Sequence, residues 1–375
     1  MKKILSLVLV SMLLLSSIPA YATEFIMGDM DFTKYYPYKE FWLGEPDTGF
    51  WGTAGIADKG YSYDWFINSA WGMAVAADEY TRQKYGDYDD LNEELLKIWE
   101  MRGVKKILHE GEDEARKWSV FVPLSAYQEA NADKKYPVVF NFHGYGVTIM
   151  LAETYGYAEL GGTKDFITVC PTDSAMVPEI MEVLRAEYPI DETRVYATGF
   201  SMGGLATINS VLQYPEIFAG AAPTGASLSG FRGQIGTDEQ WANIANYGMP
   251  ICNFCGSADY IRQYPLNANT AISYQKWLDI NGIDFDAIID GYDYASSTDY
   301  LEHNVHASFM SSYTKPYQSD FYFGQYQNQD GVTVVQVVLM DRAPHVTNGS
   351  IAEIGWEFMS HWSRDPETKQ LIYTK

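Results

Sequence analysis

The chain has 375 residues, of which 47% are hydrophobic and 20% charged, a composition typical of a soluble globular protein with a sizeable core and not of a disordered chain. Its formal net charge is −23. A surface of this sign repels polyanions, which argues against nucleic acid and strongly anionic polymers as partners.

An export signal is predicted at the N-terminus. Lys2 and Lys3 precede an apolar run from Ile4 to Leu15, and Ala20-Tyr21-Ala22 provides a small-residue cleavage site. The run is too short for a comfortable transmembrane span, which disfavours the alternative of an uncleaved anchor. Residues 1–22 are therefore predicted to be a signal peptide. The mature chain is expected to be secreted, extracellular or periplasmic, with no membrane association, and loss of the two lysines would bring its net charge from −23 to −25.

Residues 23–103 differ in composition from the rest of the chain. They are rich in Trp, Tyr and Gly at first and then show helical patterns over about 65–84 and 90–101. We interpret this segment as a helical and aromatic-rich N-terminal elaboration of unknown role, packed on the main domain.

Residues 104–375 are predicted to form the main domain, in which apolar strands alternate with amphipathic helices. In chain order the pattern predicts two strands (VKKILHEGEDEARKWSVFVP), two more strands (YPVVFNFHGYG, DFITVCPTDS), a helix (MVPEIMEVLRAEYPI), a strand, turn and helix (TRVYATGFSMGGLATINSVLQYP), two strands (FAGAAPTGA, MPICNFCGSADY), a helix (NTAISYQKWLDING), a hairpin turned by Asp330-Gly331 (FYFGQYQNQDGVTVVQVVLM) and a helix (SIAEIGWEFMSHWSRD). Such alternation indicates an α/β fold, a mostly parallel sheet covered by helices on both faces. Catalytic residues on such a sheet lie at the carboxyl ends of its strands.

One motif within this pattern carries chemistry. Gly199-Phe200-Ser201-Met202-Gly203 matches G-x-S-x-G, with a strand running in and a helix running out as far as Pro215. The glycines permit a sharp turn that lifts the serine hydroxyl clear of the sheet. Ser201 is therefore predicted to be a nucleophile, and an idle serine in a glycine turn is the alternative.

A serine nucleophile needs a base, and the base needs a third group that sets its tautomer. On this kind of sheet the chain order is serine, acid, histidine. Asp259, beyond the second strand after the serine, is the predicted acid, with Asp341 as runner-up, and His345, after the last strand, is the predicted base. The remaining histidines fit less well: His109 in an early strand, His143 in the loop after YPVVFNF, His303 and His306 in an irregular insertion, and His361 inside the final helix.

The reaction also needs donors for the oxyanion. The backbone N–H of Met202, the residue after the nucleophile, is predicted to supply one, and that of Tyr145 in the His-Gly-Tyr-Gly loop the other. No cofactor or metal ion is expected.

Three cysteines in an exported chain cannot all pair internally. Cys252 and Cys255 lie on one predicted buried strand, where an i, i+3 pair points to opposite faces and bridges poorly. We interpret all three as buried small hydrophobes. A zinc or redox C-x-x-C site is the alternative, although no second pair or suitably spaced histidines accompany it.

Four segments together carry a family resemblance. YPVVFNFHGYG, RVYATGFSMGG, PICNFCGSAD and VTVVQVVLMDRAPHVTNG resemble the oxyanion strand and loop, the nucleophile elbow, the acid strand and the histidine turn of the α/β-hydrolase superfamily. Within it, residues 104–364 look like the secreted esterase group of polyhydroxybutyrate depolymerase-like enzymes, feruloyl esterases and acetylxylan esterases. Two departures are Tyr145, where that group often has a cysteine, and Val346-Thr347, where Trp-Pro commonly follows the histidine. They put the family disulfides and the usual substrate subsite in doubt.

The resemblance implies a secreted serine esterase acting on acetyl or feruloyl groups of an ester-bearing polysaccharide or oligosaccharide. Alternatives are a prolyl-oligopeptidase-like serine peptidase, a polyhydroxyalkanoate depolymerase and a non-catalytic carbohydrate-binding protein. The insertion Tyr292–Tyr326 carries Tyr and Phe at irregular spacing. Some of these rings are expected to stay exposed near the site and stack on a sugar or phenolic ring, with packing onto the domain as the alternative.

Overall fold

The computed structural model describes residues 93–110, 116–144, 149–153, 155–230, 235–256, 259, 268–286, 309–314, 320–340, 345, 347 and 349–375. The predicted signal peptide and the predicted elaboration up to residue 92 lie outside these residues. The domain boundaries therefore stay predictions. No helix in the described part of the chain combines the length and the apolar character needed to cross a membrane.

The centre of the molecule is a ten-stranded sheet with the strand order β1-β2-β4-β3-β5-β6-β7-β10-β9-β8. The six neighbouring strands from β4 to β10 run parallel, and the outer strands on both sides pair antiparallel. The strands are β1 (Val104–Glu110), β2 (Lys117–Pro123), β3 (Tyr136–Phe142), β4 (Ile167–Pro171), β5 (Ile190–Phe200), β6 (Gly220–Thr224), β7 (Ile251–Gly256), β8 (Phe309–Thr314), β9 (Asp320–Gln327) and β10 (Thr333–Met340).

Helices cover both faces of this sheet. They are α1 (Glu93–Met101), α2 (Ile149–Glu153), α3 (Tyr157–Lys164), α4 (Val177–Glu187), α5 (Met202–Gln213), α6 (Asp238–Ile244), α7 (Ala268–Ile280) and α8 (Gly349–Met359). Every residue of β3 is buried, and its alternate residues join different hydrophobic clusters. Val138 and Trp277 of α7 belong to one cluster, and Val139 and Trp356 of α8 belong to the other. Since neighbouring residues of a strand point to opposite faces, the two clusters are the two sides of the sheet. The predicted fold class is confirmed.

The chain before β1 also contacts the sheet. Trp99 of α1 is buried and meets Phe121 of β2 edge to face, with ring centroids 4.7 Å apart. The helix predicted over 90–101 is thus present from residue 93 onward, and its C-terminal turn packs on the edge of the sheet.

The insertion is more regular than predicted. Phe309–Thr314 forms β8 at the sheet edge, paired with β9, where the aromatic spacing predicted irregular structure. Edge pairing overrides the weak sequence period, because backbone hydrogen bonds to an existing strand do not depend on the side-chain pattern. At the end of the insertion, Tyr326 is fully buried against Tyr274 and Phe285. This ring packs onto the domain, as the alternative interpretation of the insertion expected.

The C-terminal segment also corrects a prediction. α8 ends at Met359, so His361 lies in the turn after the helix and not inside it. The chain turns there into a small antiparallel sheet of β11 (Trp362–Arg364) and β12 (Leu371–Tyr373). His361 Nδ1 lies 2.9 Å from the carbonyl oxygen of Thr374, a contact the helix would not allow. The amphipathic period predicted a longer helix because Trp362 continues the apolar stripe, but Trp362 enters the core from a strand instead.

Candidate active site

Ser201 occupies the sharp turn between β5 and α5. Its backbone has φ 59° and ψ −114°, a conformation that residues other than glycine rarely adopt. The Ser201 N–H donates a 2.9 Å hydrogen bond to the carbonyl oxygen of Thr224, at the end of neighbouring β6. Such strain persists only where the surrounding structure enforces it. The turn therefore has the strand-to-helix geometry of a nucleophile elbow.

Gly203 allows the first turn of α5 to approach the end of β3. A Cβ atom at this position would lie 1.9 Å from the carbonyl oxygen of Phe142 and 2.8 Å from that of His143. No side chain fits there. The backbone N–H of Met202, the predicted oxyanion donor, therefore begins a helix beside the loop after β3, where the helix N-terminus favours negative charge.

Asp259 and His345 form a buried pair. The Asp259 Oδ2 atom lies 2.8 Å from His345 Nδ1, and each side chain is 1% exposed. The register of the sheet explains the meeting, since Met340 at the end of β10 pairs with Gly256 at the end of β7. The Asp259 N–H then donates a 3.1 Å hydrogen bond to the Gly256 carbonyl oxygen, which holds the aspartate at that strand end.

The imidazole of His345 lies beside the serine turn. The Phe200 ring, one residue before Ser201, has its centroid 4.5 Å from that of His345. A Cβ atom on Gly225 would lie 2.9 Å from both His345 Cε1 and Phe200 Cε2, so only glycine leaves room for the two rings. Gly225 directly follows Thr224, the residue that accepts the Ser201 N–H bond. Sequence reasoning missed both Phe200 and Gly225, although Phe200 is the variable residue of the elbow motif and a glycine just after a strand is a recognisable signal.

Within the described part of the loop after β3, His143 and Gly144 contact other parts of the fold. His143 Nε2 lies 3.0 Å from the carbonyl oxygen of Thr172, which follows β4. The Gly144 N–H donates to the buried hydroxyl of Tyr155 at 3.3 Å, and the Tyr155 ring meets Phe200 edge to face. Tyr155 lies in no motif, and the sequence offers no signal for it. Tyr145, the second predicted oxyanion donor, lies outside the described residues.

Of the other candidate residues, His109 lies away from this pair. His109 on β1 stacks on Trp118 with ring centroids 5.1 Å apart, and its Nε2 lies 2.5 Å from the Tyr188 hydroxyl oxygen. Burial lowers the pKa of His109 and outweighs the opposing effect of the Glu187 charge. His303, His306 and Asp341 lie outside the described residues.

The cysteines are buried and unbridged, as predicted. Cys252 and Cys255 belong to the hydrophobic clusters of opposite sheet faces. Burial raises the pKa of Cys252, and burial together with the Asp259 charge raises that of Cys255. Both thiols therefore stay protonated at neutral pH. Among the residues described, no cluster of three or more His, Cys, Asp or Glu side chains could hold a metal ion.

The fold and the placement of these residues define a class. Ser201 follows β5, Asp259 follows β7 and His345 follows β10, so the three residues come after the carboxyl ends of parallel strands of one sheet, in the chain order serine, acid, histidine. This arrangement on a mostly parallel sheet is that of the α/β-hydrolase fold.

Known proteins with similar sequences are esterases. The chain is 26% identical over 192 residues to a poly(3-hydroxyalkanoate) depolymerase C of Paucimonas lemoignei, covering 40% of this chain and 46% of that protein. It is 28% identical over 175 residues to feruloyl esterase B of Neurospora crassa, covering 39% of this chain and 59% of that protein. It is 26% identical over 157 residues to the bifunctional acetylxylan esterase/xylanase XynS20E of Neocallimastix patriciarum, covering 38% of this chain and 22% of that protein.

The match to each of these relatives spans less than two thirds of the relative's length. No family model matches the chain. Among solved structures, an acetyl xylan esterase from Aspergillus awamori superposes with a TM-score of 0.44 at 18% identity, covering 68% of this chain and 98% of that one. The predicted resemblance to this group of esterases is confirmed by the sequence relatives.

Proposed function

We propose that the protein is a secreted serine esterase that hydrolyses acetyl or feruloyl esters on plant polysaccharide. The observation that carries the proposal is the buried Asp259–His345 pair, 2.8 Å apart, directly beside the strained turn of Ser201. A buried aspartate with a histidine next to a serine elbow is the arrangement that activates a hydroxyl nucleophile.

The proposed mechanism begins when the Ser201 Oγ attacks the ester carbonyl carbon. His345 takes the hydroxyl proton at Nε2, while Asp259 accepts the Nδ1–H bond and holds the ring in that tautomer. The backbone N–H groups of Met202 and Tyr145 stabilise the oxyanion. His345 then returns the proton to the departing alcohol, which leaves an acyl group on Ser201. A water molecule, deprotonated by His345, releases the acid and restores the serine.

The substrate class is argued from relatives and charge. Two of the relatives are named for acetylxylan and feruloyl esters. The net charge of −23 disfavours pectate-like polyanions. The predicted export signal at residues 1–22 supports a polymer outside the cell.

A second candidate substrate is a polyhydroxyalkanoate. The longest of the three matches, 192 residues, is to a depolymerase named for that polyester. The same serine, histidine and aspartate would cleave its backbone ester, so only the substrate distinguishes this candidate.

The test is a substrate panel with purified protein: acetylated xylo-oligosaccharides, methyl ferulate, a 3-hydroxybutyrate oligomer and peptide anilides, each also with Ser201→Ala. We expect rates on the acetyl or feruloyl esters to exceed those on peptide anilides by at least about a hundredfold, a difference of about 2.7 kcal/mol in transition-state binding. A fluorophosphonate should label the wild type once per chain and leave Ser201→Ala unlabelled. A preference for the hydroxybutyrate oligomer would favour the second candidate, and robust peptide cleavage would overturn the esterase proposal.

A further inference from the structure

A second concave site lies at the opposite end of the sheet from Ser201. An open cavity of about 610 Å³ is lined by the start of β10, by β9, by the end of α8 and by the small C-terminal sheet. His345 follows the carboxyl end of β10, whereas Thr333, at the amino end of the same strand, lines the cavity. The lining residues of β10 end at Gln336, which at about 3.3 Å per residue lies about 13 Å along the strand from Met340, its last residue. The volume is in the range of small-ligand sites.

Aromatic rings form part of the cavity wall. They are Phe323 of β9, Phe358 of α8, Trp362 of β11 and Tyr373 of β12. Tyr373 is the most accessible of them, with 38% of its surface exposed. Its ring is braced by Trp362, with centroids 5.0 Å apart, and by His361 at 5.7 Å. Because these neighbours already restrict the ring, a ligand stacking on Tyr373 would cost little further side-chain entropy.

The polar lining suits hydroxyl groups. The carboxylates of Asp330, Glu353 and Glu357 and the side chain of Lys375 line the cavity, which therefore offers both acceptors and a donor to hydroxyl groups. Two further lining side chains, Gln325 and Gln336, are joined by a 2.8 Å hydrogen bond from Nε2 of the first to Oε1 of the second. Gln336 Nε2 also donates to Cys252 Sγ at 3.3 Å, so these contacts fix both amides in the cavity wall.

From this combination we propose that the cavity binds a neutral sugar segment, with Tyr373 as the stacking ring and the carboxylates as hydroxyl acceptors. The proposal rests on the proposed function for its choice of polymer, a xylan backbone, and adds a binding site that is separate from the chemistry. A polysaccharide is long enough to occupy both places, so binding at the cavity raises the effective concentration of ester groups near Ser201.

The first test measures binding without catalysis. Unsubstituted xylohexaose carries no ester, so its affinity is measured by calorimetry with wild-type protein, Tyr373→Ala and Tyr373→Phe. Tyr127→Ala is the matched control, because Tyr127 is 54% exposed and does not line the cavity. We expect Tyr373→Ala to weaken binding at least about tenfold, from loss of the stacked ring, and Tyr373→Phe and Tyr127→Ala to bind as wild type. Absence of xylohexaose binding by the wild type, or unchanged binding by Tyr373→Ala, overturns the proposal.

The second test separates this site from the esterase. The ratio of the rate on polymeric acetylxylan to the rate on an aryl acetate should fall at least about threefold in Tyr373→Ala and stay constant in Tyr127→Ala. Xylohexaose binding without any ester hydrolysis would contradict the proposed function and leave the sugar site standing. Acetylxylan hydrolysis without xylohexaose binding would contradict the sugar site and leave the proposed function standing.

Discussion

Two buried pairs of polar side chains, on opposite sides of β3, differ in what their burial achieves. Asp259 and His345 meet at 2.8 Å with both side chains 1% exposed, and Lys106 and Glu153 meet at 2.7 Å with side chains 8% and 1% exposed. Distance and burial are therefore nearly the same. The first pair contains an imidazole, whose second ring nitrogen can exchange a proton with a nucleophile, whereas the second joins an amine to a carboxylate and offers no such ring nitrogen. The comparison indicates that the kind of side chain, and not the burial or the distance, separates the proposed catalytic pair from a pair that anchors the fold.

The surroundings of the two pairs support this contrast. Glu153 Oε1 also accepts a 2.5 Å hydrogen bond from the Ser119 hydroxyl, so the carboxylate is tied to both β1 and β2. Nearby, Arg102 Nη1 lies 2.9 Å from Glu159 Oε1 of α3. We name Lys106, Glu153, Ser119, Arg102 and Glu159 the anchoring cluster. It joins the sheet edge to α2 and α3, and it is remote in sequence from the serine turn.

The largest expected effect comes from the serine itself. Ser201→Gly should lower kcat on an ester by about 10⁶-fold, because no nucleophile remains. The same change should raise the free energy of unfolding by about 1 kcal/mol, since glycine adopts φ 59° without strain. Ester turnover and urea unfolding provide the two measurements. A loss of stability together with the loss of activity would mean that the turn is not under strain.

The second largest expected effect tests Asp259 as the catalytic acid residue that orients His345. Asp259→Asn should lower kcat by about 10⁴-fold, the size found when a triad aspartate loses control of the imidazole tautomer. Asp341→Asn is the matched control and should change kcat less than about tenfold. If Asp341→Asn proves crippling and Asp259→Asn mild, the acid has been assigned to the wrong carboxylate.

Breaking the anchoring cluster should affect stability instead. Lys106→Met leaves the Glu153 charge buried without its cation and should lower the free energy of unfolding by about 3–5 kcal/mol. The folded fraction should keep its kcat. Arg185→Met serves as control, because the Arg185–Glu192 pair has the same 2.7 Å distance but side chains 38% and 53% exposed, and its loss should cost less than about 1 kcal/mol. Equal losses in the two variants would show that burial does not decide the strength of these pairs.

The smallest expected effect is a change in the free energy of unfolding with pH. Burial raises the pKa of Glu159 to about 7, against the opposing charge of Arg102. Between pH 4.5, the ordinary pKa of a glutamate, and about pH 7, Glu159 then holds a proton in the folded state that it has lost in the unfolded state. Stability should therefore fall as pH rises through this window, by up to about 1.4 kcal/mol per pH unit from this group. Glu159→Gln should flatten the slope, which urea unfolding at several pH values will reveal. An unchanged slope in Glu159→Gln would assign the pH dependence to other groups.

Much of the fold could be predicted from the sequence because local physical chemistry encodes it. Continuous apolar runs indicated buried parallel strands, and the alternation of faces along β7 correctly separated Cys252 from Cys255. The Asp330-Gly331 turn between β9 and β10 was also predictable, since Gly331 has φ 75°, which glycine adopts without strain. The sharp strand-to-helix turn at Ser201 was predictable for the same reason, because the glycines that such a turn needs are adjacent to the serine in the chain.

The tertiary structure decided what local pattern does not encode. His345 and Asp259 are 86 residues apart and meet because β10 pairs with β7, and Lys106 reaches Glu153 across 47 residues. The edge strand β8 and the turn at His361 likewise depend on which neighbouring backbone is available, not on a residue period. Periodicity reports which face of an element is buried, whereas the order of strands in the sheet determines which elements bury it. Long-range strand pairing therefore places the anchoring cluster, the Asp259–His345 pair and the cavity beside β9 and β10.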